Sequence, residues 1–277
     1  MLNKEQLDKV HETLAKRVER YVEAIKETYG EYIPDQKLEQ LENIEDYKSV
    51  VRIFDFGSIN GYATNDSIMI PLCADKVMST LKMIPGFGMY KNHKLYTDDT
   101  LIINNNTFVN YVMHLFVTGQ TVEGYYEDLL LHETMHFCGG DGASALKEGL
   151  NELLTRKIAK KYGFRTSACG YPKEVKVVYE LEKIFSEEVM NQIAFINDPR
   201  MVDIYLREKL GDKAAKLYHD IEYEMEKEFN KKYYRKMDSF NGLTGVLKKI
   251  ICYKRIDYKK IYKMIDEYKK EEKKLVK

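Results

Sequence analysis

Residues 129–138 run Leu129-Leu130-Leu131-His132-Glu133-Thr134-Met135-His136-Phe137-Cys138 and contain the pattern H-E-x-x-H. On a helix, residues four apart share a face, so His132 and His136 present two imidazoles to one point. A pair of neutral imidazoles suits Zn²⁺, which needs at least one more protein ligand and keeps a place for water. Glu133 lies one residue round from the first imidazole, where it reaches that water as a general base. Leu129, Leu130 and Leu131 supply the apolar side by which core packing would hold such a helix. Two solvent-facing histidines on an ordinary amphipathic helix are the bland alternative.

The segment after this helix supplies candidates for the third ligand. Gly139-Gly140-Asp141-Gly142 is a sharp stop, and Ala143 to Tyr162 reads as the next helix. It contains Leu146-Lys147-Glu148-Gly149-Leu150-Asn151-Glu152. Glu148 and Glu152 are four apart and share a face. Glu148 as ligand would complete a His/His/Glu set, and Glu152 would accept the free N–H of a ligand imidazole. Glu152 in the ligand's place is the alternative.

This arrangement resembles the gluzincin superfamily, the thermolysin-like and related zinc metallopeptidases, over about residues 129–162. In that family the ligand Glu is followed four residues later by an acid that supports a histidine, and Glu148 and Glu152 match the spacing. The Glu148-Gly149 pair also resembles the third-ligand segment of aminopeptidase-type gluzincins. Glu148 follows His136 by twelve residues, a shorter interval than the family uses. The tight Gly-Gly-Asp-Gly turn would allow it by sending the chain straight back. The resemblance implies a zinc-dependent peptidase, with a small sheet walling a cleft whose edge strand pairs with an extended peptide. A metzincin-like layout, H-E-x-x-H-x-x-G-x-x-H/D, is the other choice. It finds Gly139 in place, but its third ligand falls on Gly142, and Asp141 comes one residue early.

The whole chain sets bounds on these readings. It has 277 residues, enough for one large domain or two intimate ones. Lys+Arg and Asp+Glu are both 44, and the balance argues against nucleic acid as main partner. No apolar run is long enough to span a membrane. The opening Met-Leu-Asn-Lys-Glu-Gln has no apolar h-region, so a cytoplasmic protein is expected, although a leaderless exported protein would read the same. Cys73, Cys138, Cys169 and Cys252 are scattered and form no C-x-x-C pair, which favours reduced thiols. Cys138 reads as a buried thiol, with a redox-sensitive neighbour of the site as the alternative. The 22 tyrosines, in a chain without Trp, read as filler for helix interfaces.

Periodicity predicts an α+β chain, mostly helical. Its small mixed or antiparallel sheet precedes a zincin-type active-site helix and a C-terminal helical region. Residues 1–49 are expected as N-terminal helices, 50–165 as the catalytic core, and 166–277 as a helical subdomain packed with it. The first helix, residues 3 to 29, carries Leu14, Val18, Val22 and Ile25 at threes and fours and stops at Gly30. His11 beside that stripe reads as a packing residue. Pro34-Asp35 opens a shorter helix to about Tyr47. Val50–Phe56, Ser67–Pro71 and Thr100–Asn104 read as strands, Gly57 to Asn65 as turn, and Ala74–Met83 and Thr107–Thr118 as helices. The metal helix is expected from Val122 to about Cys138. Further helices are expected at Lys173–Asn191, Pro199–Leu210, Asp212–Tyr234, Phe240–Ile250 and Ile256–Lys274, with Asp198-Pro199 as a start signal. From Tyr253 onward ten Lys or Arg face five Asp or Glu. This basic amphipathic end reads as docked on its own domain with a solvated lysine face, and a membrane or acidic partner is the alternative.

The expected activity is hydrolysis of peptide bonds in a peptide or protein substrate. Glu133 would activate a Zn²⁺-bound water held by His132, His136 and Glu148, with Glu152 behind them. The tetrahedral oxyanion needs a further donor. Tyr171, in the Gly170-Tyr171-Pro172 turn, is the first choice, with His219 and Tyr179 behind it. His93 and His114 have no partner pattern. The competing reading is a helical regulatory or toxin-like protein whose zinc is structural, or whose cleavage is restricted to one substrate. The sequence leaves the substrate and the oligomeric state open.

Overall fold

The computed structural model describes residues 4–54, 62–71, 122–139, 144–164, 166, 170–232, 252–253 and 255–275. The described residues are mostly helical, with one small sheet. They divide into two compact units, Met1–Asp141 with Thr155–Cys169, and Gly142–Leu154 with Gly170–Lys277. The predicted strand at Thr100–Asn104 and the predicted helices at Ala74–Met83, Thr107–Thr118 and Phe240–Ile250 lie outside the described residues.

The first unit opens with α1, Lys4–Tyr29. Its three-and-four spacing puts Leu14, Val18, Val22 and Ile25 on one face, and all four are fully buried. Burying such side chains stabilises by about 1.5–3 kcal/mol each before the entropy of ordering is counted. Gly30 ends the helix by donating its N–H to the Lys26 carbonyl at 2.8 Å. Helix α2 spans Asp35–Glu42, shorter than the predicted run to Tyr47, and the one-turn α3 spans Tyr47–Val50. The break falls where Asp46 turns extended and its carboxylate caps α3, accepting the Lys48 N–H at 2.9 Å.

The sheet holds β1 (Val51–Phe54), β2 (Tyr62–Ala63) and β3 (Ile68–Pro71) in the order β1-β3-β2. It is mixed: β1 runs parallel to β3 with Val51 opposite Ile68, and β2 runs antiparallel to β3 with Ala63 opposite Ile68. The short β2 corrects the reading of Gly57 to Asn65 as turn throughout. Thr64-Asn65-Asp66-Ser67 is the turn itself. Thr64 donates its N–H to the Ser67 carbonyl at 2.8 Å, and its hydroxyl oxygen accepts the Ser67 N–H at 3.0 Å. His11 Nε2 lies 2.5 Å from the Val51 carbonyl and ties α1 to β1. Helix α4, Val122–Gly139, packs against α1, β2 and β3. The sheet and α1 therefore hold the helix that carries H-E-x-x-H.

Helix α5 spans Ala145–Tyr162, and the division between the units falls within it. Its last turn belongs with α1. Tyr162 stacks on Phe164, which meets the Tyr21 ring edge-on at 4.9 Å. Gly163, at φ +69°, supplies the left-handed residue that ends α5.

The second unit is helical: the first half of α5, then α6 (Pro172–Phe185), α7 (Glu187–Phe195), α8 (Pro199–Leu210), α9 (Asp212–Lys232) and α10 (Lys259–Leu275). Leu150, Val178, Leu181, Met190, Tyr218 and Ile261 lie in its common core. The single helix predicted over Lys173–Asn191 is two, broken at Ser186. That residue sits at φ +80°, and its hydroxyl accepts the Val189 N–H at 3.4 Å, so side-chain capping stops α6 and starts α7. Helix α8 begins as predicted, with Asp198 accepting the Arg200 N–H at 2.9 Å ahead of Pro199. Helix α10 begins at Lys259 rather than Ile256, because Asp257 accepts the Lys259 N–H at 3.0 Å. Tyr258, Ile261 and Ile265 are buried, so this basic helix docks on its own unit.

One buried acid pins α10 to α6. Glu174, fully buried, accepts the hydroxyls of Tyr253 and Tyr258 at 2.6 Å each. The Tyr258 hydroxyl is held far from ionisation by burial and by the Glu174 charge. Removing one donor from a buried carboxylate costs about 1–3 kcal/mol. Tyr258→Phe is therefore expected to lower unfolding stability by that amount in urea titration; an unchanged midpoint contradicts the pinning role.

Candidate metal centre

From Leu130 onward, helix α4 is buried on most of its sides. Leu130, Leu131, Met135, Phe137 and Cys138 are at most 1 % exposed. Thr134 is fully buried and returns its hydroxyl to the Leu130 carbonyl at 2.7 Å. A helix of this kind belongs inside a protein, so its polar residues are carried in with it. His132 is 9 % and Glu133 7 % exposed, and His136 is partly buried. The two imidazoles stand one turn apart, centroids 4.9 Å apart and planes at 78°. Burying polar groups is costly unless they bond to something, and His132 and Glu133 are both buried here.

Glu148 lies in the first turn of α5. One donor atom each from His132, His136 and Glu148 lie within 4.8 Å of one another. Among the described residues this is the one group of three or more His, Cys, Asp or Glu whose donor atoms converge. A tetrahedral ion with bonds of about 2.1 Å separates its donors by about 3.4 Å. Two imidazole nitrogens and a carboxylate oxygen are a donor set that suits zinc.

Glu152 is not in that group of donors. One turn beyond Glu148 it is 2 % exposed, and the chain packs tightly on its carboxylate. A Cβ at Gly170 would lie 2.6 Å from Glu152 Oε2, so a larger residue there would push the Glu152 carboxylate aside. Asp141, His93 and His114 lie outside the described residues. Tyr171 caps the N-terminus of α6 in the left-handed region, at φ 43° and ψ 47°, and packs against the helical core. His219 is engaged by Asp203 at 3.0 Å and Glu222 at 3.8 Å, and Tyr179 is 44 % exposed on α6. Burial pushes the Cys138 thiol up to about 12, against the opposing pull of Lys37 and Lys26.

Gly149 has a structural reason that spacing alone does not show. A Cβ there would lie 2.6 Å from Glu174 Cβ and 2.8 Å from its carbonyl carbon. The first turn of α6 thus presses against α5 one residue past Glu148. A glycine inside a helix costs about 1 kcal/mol against alanine, so its presence in a helical pattern is itself the signal of a close approach. Asp128, buried one turn before His132, accepts a hydrogen bond from the Thr166 hydroxyl. Neither Glu174 nor Asp128 stands out in the sequence, because a lone acid carries no pattern.

No family model, no curated protein and no solved structure matches the chain.

Two outcomes follow from this geometry. Gly149→Ala forces α5 and α6 apart and is expected to cost about 1–3 kcal/mol of stability in denaturant unfolding, where an exposed helical glycine would instead gain. Cys138 is expected to resist iodoacetamide at pH 8 in the native protein and to react once unfolded, as read by peptide mapping. Rapid native labelling contradicts its burial.

Proposed function

We propose that the chain is a zinc-dependent metallopeptidase. His132, His136 and Glu148 would hold the ion, and Glu133 would act as general base. The observation that carries this reading is the convergence of those three donors, with Glu133 buried beside the first histidine. Zinc in such a site lowers the pKa of its bound water toward neutrality and polarises the scissile carbonyl. Glu133, one residue from His132, would accept a proton from a water at the ion and pass it to the leaving amine. Glu152, buried one turn beyond Glu148, fits the supporting place behind the ligands. This order of parts, two histidines and a glutamate base on one helix with a glutamate ligand on the next, is the basis of the gluzincin resemblance. Peptides and proteins are the proposed substrates.

The test compares wild type with Glu133→Gln on zinc content and on cleavage of a mixed peptide library. Wild type is expected to bind one equivalent of zinc, to cleave, and to stop when the metal is chelated. Glu133→Gln is expected to keep its zinc and lose roughly 10²–10⁴-fold in rate, the usual worth of a general base. Zinc-loaded wild type that cuts nothing, in the library or in a whole-proteome digest, would overturn the peptidase assignment and favour a structural metal.

A further inference from the structure

The turn that carries Glu148 is gripped at several neighbouring residues by side chains and backbone of the second unit. Ser144 caps α5: its hydroxyl oxygen accepts the Lys147 N–H at 3.3 Å and its carbonyl accepts the Glu148 N–H at 2.9 Å. That cap is held from α9, where Glu222 Oε1 accepts the Ser144 hydroxyl at 3.0 Å. One turn further along α9, Glu226 Oε2 accepts the Ala145 N–H at 3.0 Å, while its other oxygen accepts from Asn230 at 2.6 Å. Lys147 Nζ donates to the Ile193 carbonyl and, at 2.9 Å, to the Ile196 carbonyl, capping the C-terminal end of α7. Gly149 meets the α6 backbone at Glu174.

Helix ends leave their first N–H groups without intrahelical partners, and they fray unless something satisfies them. Here acids brought from another helix do so, and their charge also suits the positive end of the α5 dipole. A lysine capping a distant helix end adds a cation at that helix's negative pole. Contacts from α6, α7 and α9 on residues 144, 145, 147 and 149 leave Glu148 as the residue among them whose side chain belongs to the converging donor group.

We propose that Glu222 and Glu226 of α9, with Lys147, are positioning residues that fix the direction of the Glu148 carboxylate and thereby set the affinity for the metal. This rests on the zinc reading of His132, His136 and Glu148. The trans cap contributed by Glu226 is the most direct grip, because it fixes the backbone three residues before Glu148.

The experiment measures Zn²⁺ affinity of the full chain by competition with a chromogenic chelator, and the visible spectrum of the Co²⁺-loaded protein. Both are read at a temperature where circular dichroism shows every variant folded. Glu226→Ala is expected to weaken zinc binding by roughly 10–100-fold, the scale seen when a residue supporting a ligand is lost, and to shift the Co²⁺ bands. Glu226→Gln keeps an amide oxygen for the Ala145 N–H, and Asn230 turns over to meet its NH₂. That variant is expected to stay within about threefold of wild type. Should Glu226→Ala not fold, Lys147→Met takes its place with the same expected loss. Wild type that binds zinc, alongside a folded Glu226→Ala or Lys147→Met that binds it equally well, overturns the positioning role alone. Wild type that binds no zinc overturns the metal reading and this inference with it.

Discussion

The molecule depends on a buried contradiction in α4. From Leu130 on, that helix is largely core, yet it takes one imidazole and a carboxylate inside with it and a second imidazole partly so. Burying a polar group costs free energy that its bonding partners must offset, on a fold whose net stability is about 5–15 kcal/mol. In the reading proposed above, the task of these three groups is to hold and deprotonate a metal-activated water, which fits their types and spacing.

The surroundings of that helix are built to hold it still. Helix α1 and strands β2 and β3 pack on it. Thr134 satisfies itself on the Leu130 carbonyl rather than competing for the histidines. The first turn of α5 is treated with the same economy. It is capped by Ser144, held through Glu222 and Glu226, and pressed by α6 at Gly149. A ligand carboxylate is useful only if its direction is fixed before the ion arrives, because each free torsion it retains is entropy lost on binding. The contacts at 144–149 hold the backbone that carries Glu148.

Much of the fold was legible because its signals are local. The stripe on α1, the Asp198-Pro199 start of α8 and the glycine stop at Gly30 each follow from a few adjacent residues. The H-E-x-x-H helix was legible for the same reason. The misses are instructive. The period of the apolar residues runs on past Ser186, so nothing in the hydrophobic pattern marks the break; only the Ser-Glu-Glu cap chemistry does. Strand β2 is two residues long, below what alternation can reveal. The acids that hold α5 lie 78 and 81 residues from their partners, and no spacing rule reaches so far. Glu148 and Glu152 were both read as acids of one face. What separates them is tertiary: Glu148 falls among the converging donors, while Glu152 lies under the Gly170 backbone.

The central claim is chemical, that two imidazole nitrogens and one carboxylate oxygen of this chain share a single zinc ion. X-ray absorption at the zinc edge, on protein loaded with one equivalent of metal, reads that donor set directly. The account predicts only nitrogen and oxygen at about 2.0–2.1 Å, with the multiple-scattering signature of two imidazoles. That signature is expected to vanish in His132→Ala, His136→Ala. Sulfur at about 2.3 Å, or failure to retain one ion per chain, would contradict it.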